Sequence, residues 1–124
     1  MVKALFDTNI LIDYFNGVAA ARDELAKYED RAISIVSWIE VLAGLREDAK
    51  ENAVTRAYLS AFEIIGLDET IAEIAIEIRR TRGSKLPDAI IWASAQRDGR
   101  LLVTRDGKDF AKDDPGVRVP YRLD

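Results

Sequence analysis

The chain reads as an α/β protein, a three-layer α/β/α sandwich with a mainly parallel central sheet in a single domain over residues 1–124. Three observations predict this. Short apolar stretches rich in β-branched residues alternate with segments of helical period. Strands separated by helices need right-handed crossovers, which make a parallel sheet covered on both faces. At 124 residues, with 48% hydrophobic and 32% charged side chains, the chain suits one folded core but not two.

Residues 2–6 (VKALF) predict a first strand, and the apolar spacing of Ile10, Leu11, Tyr14 and Phe15 predicts a helix after it. Residues 18–29 form a second helix, AISIV at 32–36 a β-branched strand, and a helix runs from Ser37 to about Arg46. A further helix covers about 48–60 and FEIIG at 62–66 is a third strand. Ile71, Ile74, Ala75 and Ile78 mark a helix over 68–82. Pro87 sits where a first-turn proline belongs and Gly99 where a C-terminal cap belongs, so 87–98 is a helix. LLV at 101–103 is a strand ended by a polar turn, and VRV at 117–119 is a last, edge strand.

What is missing narrows the chemistry. The chain has no cysteine and no histidine. Disulfides, zinc sites built on Cys or His, and Ser-His-Asp or Cys-His nucleophiles are excluded, and so is imidazole acid–base catalysis. A reducing cytoplasm is the expected home. No apolar run reaches the roughly 18–20 residues of a membrane span, and no secretory leader is expected. Net charge is −4 with a pI near 4.9, which disfavours a broad basic nucleic-acid groove but not a small acidic pocket that holds cations.

Ligand crevices of parallel sheets lie beyond the carboxyl ends of the strands. Several strand ends each deliver an acid to that edge. Asp7 follows the first strand, Glu40 lies one turn into the helix after the second, Asp88 lies in the first turn of the helix at Pro87, and Asp106 and Asp109 follow LLV. Acids drawn together repel unless a cation lies between them, and oxygen ligands without nitrogen or sulfur select Mg²⁺ or Mn²⁺. Each acid also has a plain reading. Asp7 suits a helix N-cap, Ser37 and Glu40 a capping box, Asp88 a helix dipole, and Asp106 and Asp109 a turn around Gly107.

Four stretches, LFDTNILID at 5–13, SIVSWIEVLAG at 34–44, KLPDAIIWASA at 85–95 and LLVTRDGKDF at 101–110, together resemble the PIN domains of VapC-type toxins from toxin–antitoxin pairs. The resemblance spans nearly the whole chain. It implies a PIN-like fold and a Mg²⁺- or Mn²⁺-dependent endoribonuclease that cleaves RNA phosphodiester bonds. It further implies neutralisation by a cognate antitoxin, and a homodimer that pairs again on that partner. Carried across, it makes Asp7, Glu40 and Asp88 the metal-site and catalytic acids, with Asp106 as the fourth and Asp109 as an alternative for that place. Thr8, Asn9 and Thr104 then become donors that orient the carboxylates.

Basic residues cluster nearby. Arg79, Arg80, Arg82 and Lys85 precede Asp88, while Arg105 and Lys108 flank Asp106. They read either as solvated helix-end cations or, for Arg82, Lys85, Arg105 and Lys108, as contacts to RNA phosphate. Trp38 and Trp92 read as packing residues. Two alternatives to the nuclease are a catalytically silent PIN-fold binding protein and a phosphoacceptor receiver domain. The receiver would need an acid pair after strand one, where a single acid stands.

Overall fold

In the computed structural model, which describes residues 1–45, 48–107, 110 and 113–123, β1 (Lys3–Phe6) forms the centre of a parallel sheet. Its side chains alternate with period two. Leu5 enters one core, while Ala4 and Phe6 enter the other. A strand buried on both faces in this way needs helices above and below it.

The remaining elements supply them. They are α1 (Thr8–Phe15), α2 (Ala19–Ala26), β2 (Asp30–Ser34), α3 (Ile35–Ala43), α4 (Ala49–Leu59) and β3 (Glu63–Ile65). After these come α5 (Glu69–Arg82), α6 (Leu86–Arg97), β4 (Leu101–Val103) and β5 (Val117–Arg118). Ile71, Ala75 and Ile78 of α5 and the Ala89–Ala95 stretch of α6 pack on Leu5, Ala32 and Leu102. Ile10 and Leu11 of α1, Leu25 of α2, Val41 of α3 and Leu59 of α4 pack on Phe6, Ile33 and Val103. Trp92 is buried in the first core with its ring edge-on to Phe110, and half-buried Trp38 borders the second. The α/β/α sandwich is therefore formed.

Strand order is β3-β2-β1-β4-β5, with every pairing parallel. The chain winds outward from β1 to β3 on one side and from β4 to β5 on the other. The switch in winding falls between β1 and β4, where Phe6 pairs with Val103 and Asp7 N donates to Val103 O at 2.9 Å. In such sheets this crevice is the expected binding place.

Three predicted boundaries move. AISIV was expected to be strand throughout, but β2 stops at Ser34 and Ile35 opens α3. The Ser34 hydroxyl accepts from Val36 N at 3.1 Å, so an N-cap overrides the strand preference of two β-branched residues. Helix α3 ends at Ala43, short of the expected Arg46, which lies outside the described residues, and α2 ends at Ala26 rather than 29. Pro87 and Gly99 stand as expected: the proline lies in the first turn of α6, and Gly99 takes a positive φ of 63° just past its end.

Three buried polar hubs fasten the framework. Arg100, with its side chain 1% exposed, closes the N-terminal edge of the sheet: Nη1 reaches Asp30 at 2.7 Å, Nη2 reaches Glu63 at 2.6 Å and Nε reaches Asp98 at 2.6 Å. Asp13 accepts from Arg105 Nε and from the Tyr121 hydroxyl, both at 2.7 Å. Glu24 accepts from Arg118 Nε at 2.6 Å and from the Tyr28 hydroxyl at 2.9 Å. Burial alone would raise the Glu24 carboxyl, but hydrogen bonds from Arg118, Tyr28 and Lys27 outweigh it and hold it down to about 2.

Candidate metal centre

Asp7 occupies the first residue beyond β1. It is the N-cap of α1, its Oδ1 accepting from Thr8 N at 2.8 Å, and its Oδ2 accepts from the Thr104 hydroxyl at 2.8 Å. Only 5% of the residue is exposed. Burial pushes its carboxyl up; the bonds from Thr104 and Thr8 oppose this, and the charges of Asp88 and Glu40 add to it, for a value of about 7. Capping thus describes the backbone role of Asp7 and leaves its charge unexplained. A cap alone has no need of two other acids beside it.

The plain alternative for Glu40 was a capping box with Ser37. The cap of α3 is Ser34 instead, which leaves Ser37 buried inside the helix. Glu40, exposed on α3, turns toward Thr8, whose hydroxyl lies 2.7 Å from Glu40 Oε1 and 2.9 Å from Ser37 Oγ. Asp88 is half-buried in the first turn of α6, close enough for its charge to act on Asp7. These three acids are separated by 33 and 48 positions in the chain, yet Glu40 and Asp88 both lie near enough to act by charge on Asp7 at the switch point.

Asp106 follows β4, and its backbone N donates to Thr104 Oγ at 3.0 Å. Thr104 is 0% exposed and joins the two sides of the crevice, donating to Asp7 while accepting from Asp106 N and, at 3.4 Å, from Asn9 Nδ2. Asn9 returns the contact, its Oδ1 accepting from Arg105 N at 3.2 Å. One hydroxyl and one carboxamide therefore tie the start of α1 to the turn after β4. Asp109 and Lys108 lie outside the described residues.

Among the described residues, no three His, Cys, Asp or Glu side chains stand close enough to hold one ion as placed. The chemistry of the donors is nonetheless that of a hard cation site. The donors are all oxygen, and one of them is a buried carboxylate flanked by two more. Like charges in a low-dielectric crevice push apart, and a divalent ion between them reverses the sign of that interaction. By donor type the residues fit Mg²⁺ or Mn²⁺, hard ions that take oxygen ligands.

The basic candidates separate. Arg105 has its Nε and Nη2 engaged by Asp13 at 2.7 and 3.2 Å, the geometry of a framework ion pair. Arg82 is exposed at the end of α5 with its guanidinium 4.7 Å from the centre of the Trp92 ring, and Lys85 is exposed at the N-cap of α6. Missing from the sequence reading were Ser37, disguised as a cap, and Asp13 and Glu24, whose arginine partners are 92 and 94 positions away.

Comparison with known proteins agrees with the fold. Residues 4–114 match the PIN domain family. A relative from Methanocaldococcus jannaschii named Ribonuclease VapC1 is 32% identical over an alignment of 116 residues that covers 89% of this chain and 80% of the relative. Ribonuclease VapC10 of Mycobacterium tuberculosis is 37% identical over 108 residues, covering 81% of this chain and 80% of that one. Among solved structures, a chain of a toxin–antitoxin complex from Klebsiella pneumoniae is 45% identical with a TM-score of 0.89, over 98% of this chain and 100% of that one.

Proposed function

Because the chain belongs to the PIN domain family, we propose that it is a VapC-type endoribonuclease toxin that depends on Mg²⁺ or Mn²⁺ and is restrained by a cognate antitoxin. Support for the activity comes from two relatives named Ribonuclease VapC, and support for the partner from the similar chain in a toxin–antitoxin complex. A homodimer working in the cytoplasm accompanies this reading. Among the described residues no helix is long and apolar enough to cross a membrane. The receiver alternative gives way to the family match, and β2 and β3 end at Ser34 and Ile65 rather than in acids.

Asp7, Glu40, Asp88 and Asp106 are the proposed ligand set. A divalent ion held there supplies Lewis acidity toward the phosphate and activates the attacking water. The chain's own residues do the rest. Thr104 and Thr8 N–H fix both oxygens of Asp7, Thr8 Oγ fixes Glu40, and Asn9 holds the turn that carries Asp106. Exposed Arg82 and Lys85, near the start of α6, offer sequence-independent contacts to phosphate. Single-stranded RNA suits the crevice, since a duplex does not present its backbone to a narrow acidic notch.

One observation carries the reading: a buried carboxylate at the winding switch, raised to about 7, with two other acids acting on it. The test is cleavage of mixed RNA at increasing Mg²⁺ or Mn²⁺, with Asp7→Asn and Asp88→Asn as controls. Wild type should cleave only with metal, and each variant should lose about 100-fold or more in rate, the scale of a lost transition-state electrostatic contact. Retained cleavage by Asp7→Asn, with contaminating nuclease excluded, would refute it. The splayed acids favour one second reading, a silent PIN-fold binder. Wild type that binds metal but never cleaves would select it.

A further inference from the structure

Behind the exposed Glu40 stand two buried hydroxyls. Ser37 is 0% exposed and Thr8 8%. A hydroxyl has one proton to give and two lone pairs to accept with, while a carboxylate only accepts. Thr8 Oγ lies within bonding distance of both Glu40 Oε1, at 2.7 Å, and Ser37 Oγ, at 2.9 Å. The Thr8 proton goes to the charged acceptor, where the bond is stronger. Ser37 then donates its own proton to the Thr8 oxygen. The chain of bonds has one direction, from Ser37 through Thr8 to Glu40.

We infer that Ser37 is a positioning residue of this site, which acts through Thr8 to hold Glu40 in the orientation that bonds Thr8, next to the capping residue Asp7. The inference rests on the metal-site reading above. Ser37 and Glu40 are three positions apart on α3 and so share a face, while Thr8 arrives from α1. An exposed glutamate ordinarily samples many rotamers, and holding it in one before the ion arrives removes that ordering cost from binding. The capping role that would otherwise account for Ser37 is filled by Ser34. Nothing in the helix itself requires a hydroxyl at 37.

The experiment is Mn²⁺ calorimetry on the full chain for wild type, Ser37→Ala, Thr8→Val, their double variant and Thr8→Ser, each with a melting curve. Thr8→Val should weaken Mn²⁺ about 10–100-fold, as other outer partners of metal ligands do, and Ser37→Ala about 3–10-fold. Links in one relay are not additive, so the double variant should match Thr8→Val within about 2-fold. Thr8→Ser, which keeps the hydroxyl, should restore binding. Ser37→Ala with wild-type affinity overturns the relay even if its melting point falls, as do losses that multiply in the double variant. Should Thr8→Val fail to fold, Ser37→Ala against Ser37→Thr decides alone, the threonine restoring affinity only if the hydroxyl matters. Wild type without Mn²⁺ affinity sinks the metal site itself, an outcome distinct from failure of the relay.

Discussion

At the N-terminal edge of the sheet one arginine, Arg100, is buried among three acids; at the C-terminal edge one acid, Asp7, is buried facing two others. Both edges hold charge away from water, which is costly unless the charge is compensated. Arg100 is compensated within the chain by Asp30, Glu63 and Asp98, and Asp13 and Glu24 are compensated by Arg105 and Arg118. Among the described residues, Asp7 makes no ion pair; its hydrogen bonds come from a hydroxyl and a backbone N–H. Glu24 is accordingly held down to about 2 and Asp7 pushed up to about 7. Compensation within the chain separates framework from candidate site in this fold. Framework charges close on one another, while Asp7 is buried near other acids and pairs with no cation among the described residues.

Opposite signs on mutation would sharpen that contrast. Arg100→Met should destabilise the protein by about 3 kcal/mol in denaturant unfolding, the low end for removing one partner of a buried pair, because the three acids left behind are partly hydrated. Asp7→Asn should do the reverse, stabilising the metal-free protein at pH 8 by about 2–4 kcal/mol, since ~3 raised units at ~1.4 kcal/mol each set the ceiling. If both changes destabilise equally, the two edges do not differ as described.

The pH dependences should also run in opposite directions. The Asp7 carboxyl is raised from 3.8, so its contribution is fully present below about 4 and is lost as pH rises through about 7. That of Glu24 is lowered from 4.5, so its contribution is present above about 4.5 and is lost as pH falls through about 2. Unfolding curves of Asp7→Asn and Glu24→Gln should each erase one limb and leave the other. Metal comes next in size. Mn²⁺ at a hundred times its dissociation constant should stabilise wild type by about 2.7 kcal/mol and Asp7→Asn by far less. Smallest is Thr104→Val, which should cost about 1 kcal/mol by removing one donor to Asp7, read as a lower melting point with metal present.

The C-terminal edge was legible in the sequence because strand ends and helix starts are local signals, and Asp7, Glu40 and Asp88 each sit on one. Ser37 was misread for the same reason: S-x-x-E is a local pattern, and only the contact with Thr8, 29 positions away, gives it another meaning. The strand–helix join at Ser34 was missed because β-branched residues favour strands, a preference that one serine cap overcame. Asp13 and Glu24 carry no local signal of their roles. Their arginines come from the far end of the chain, and no spacing rule reaches across more than ninety residues. Arg105 was left open between a solvated helix-end cation and a phosphate contact, and its ion pair with Asp13, 92 positions away, is a third role that no local pattern announces.

Carbon-13 NMR of the aspartate side chains reads the decisive group by itself. In metal-free protein the Asp7 carboxyl should titrate near 7, and saturating Mg²⁺ should shift that titration below the ordinary aspartate range. An Asp7 that titrates near 4 without metal, or one whose titration Mg²⁺ leaves in place, would contradict the assignment of this crevice as a cation site.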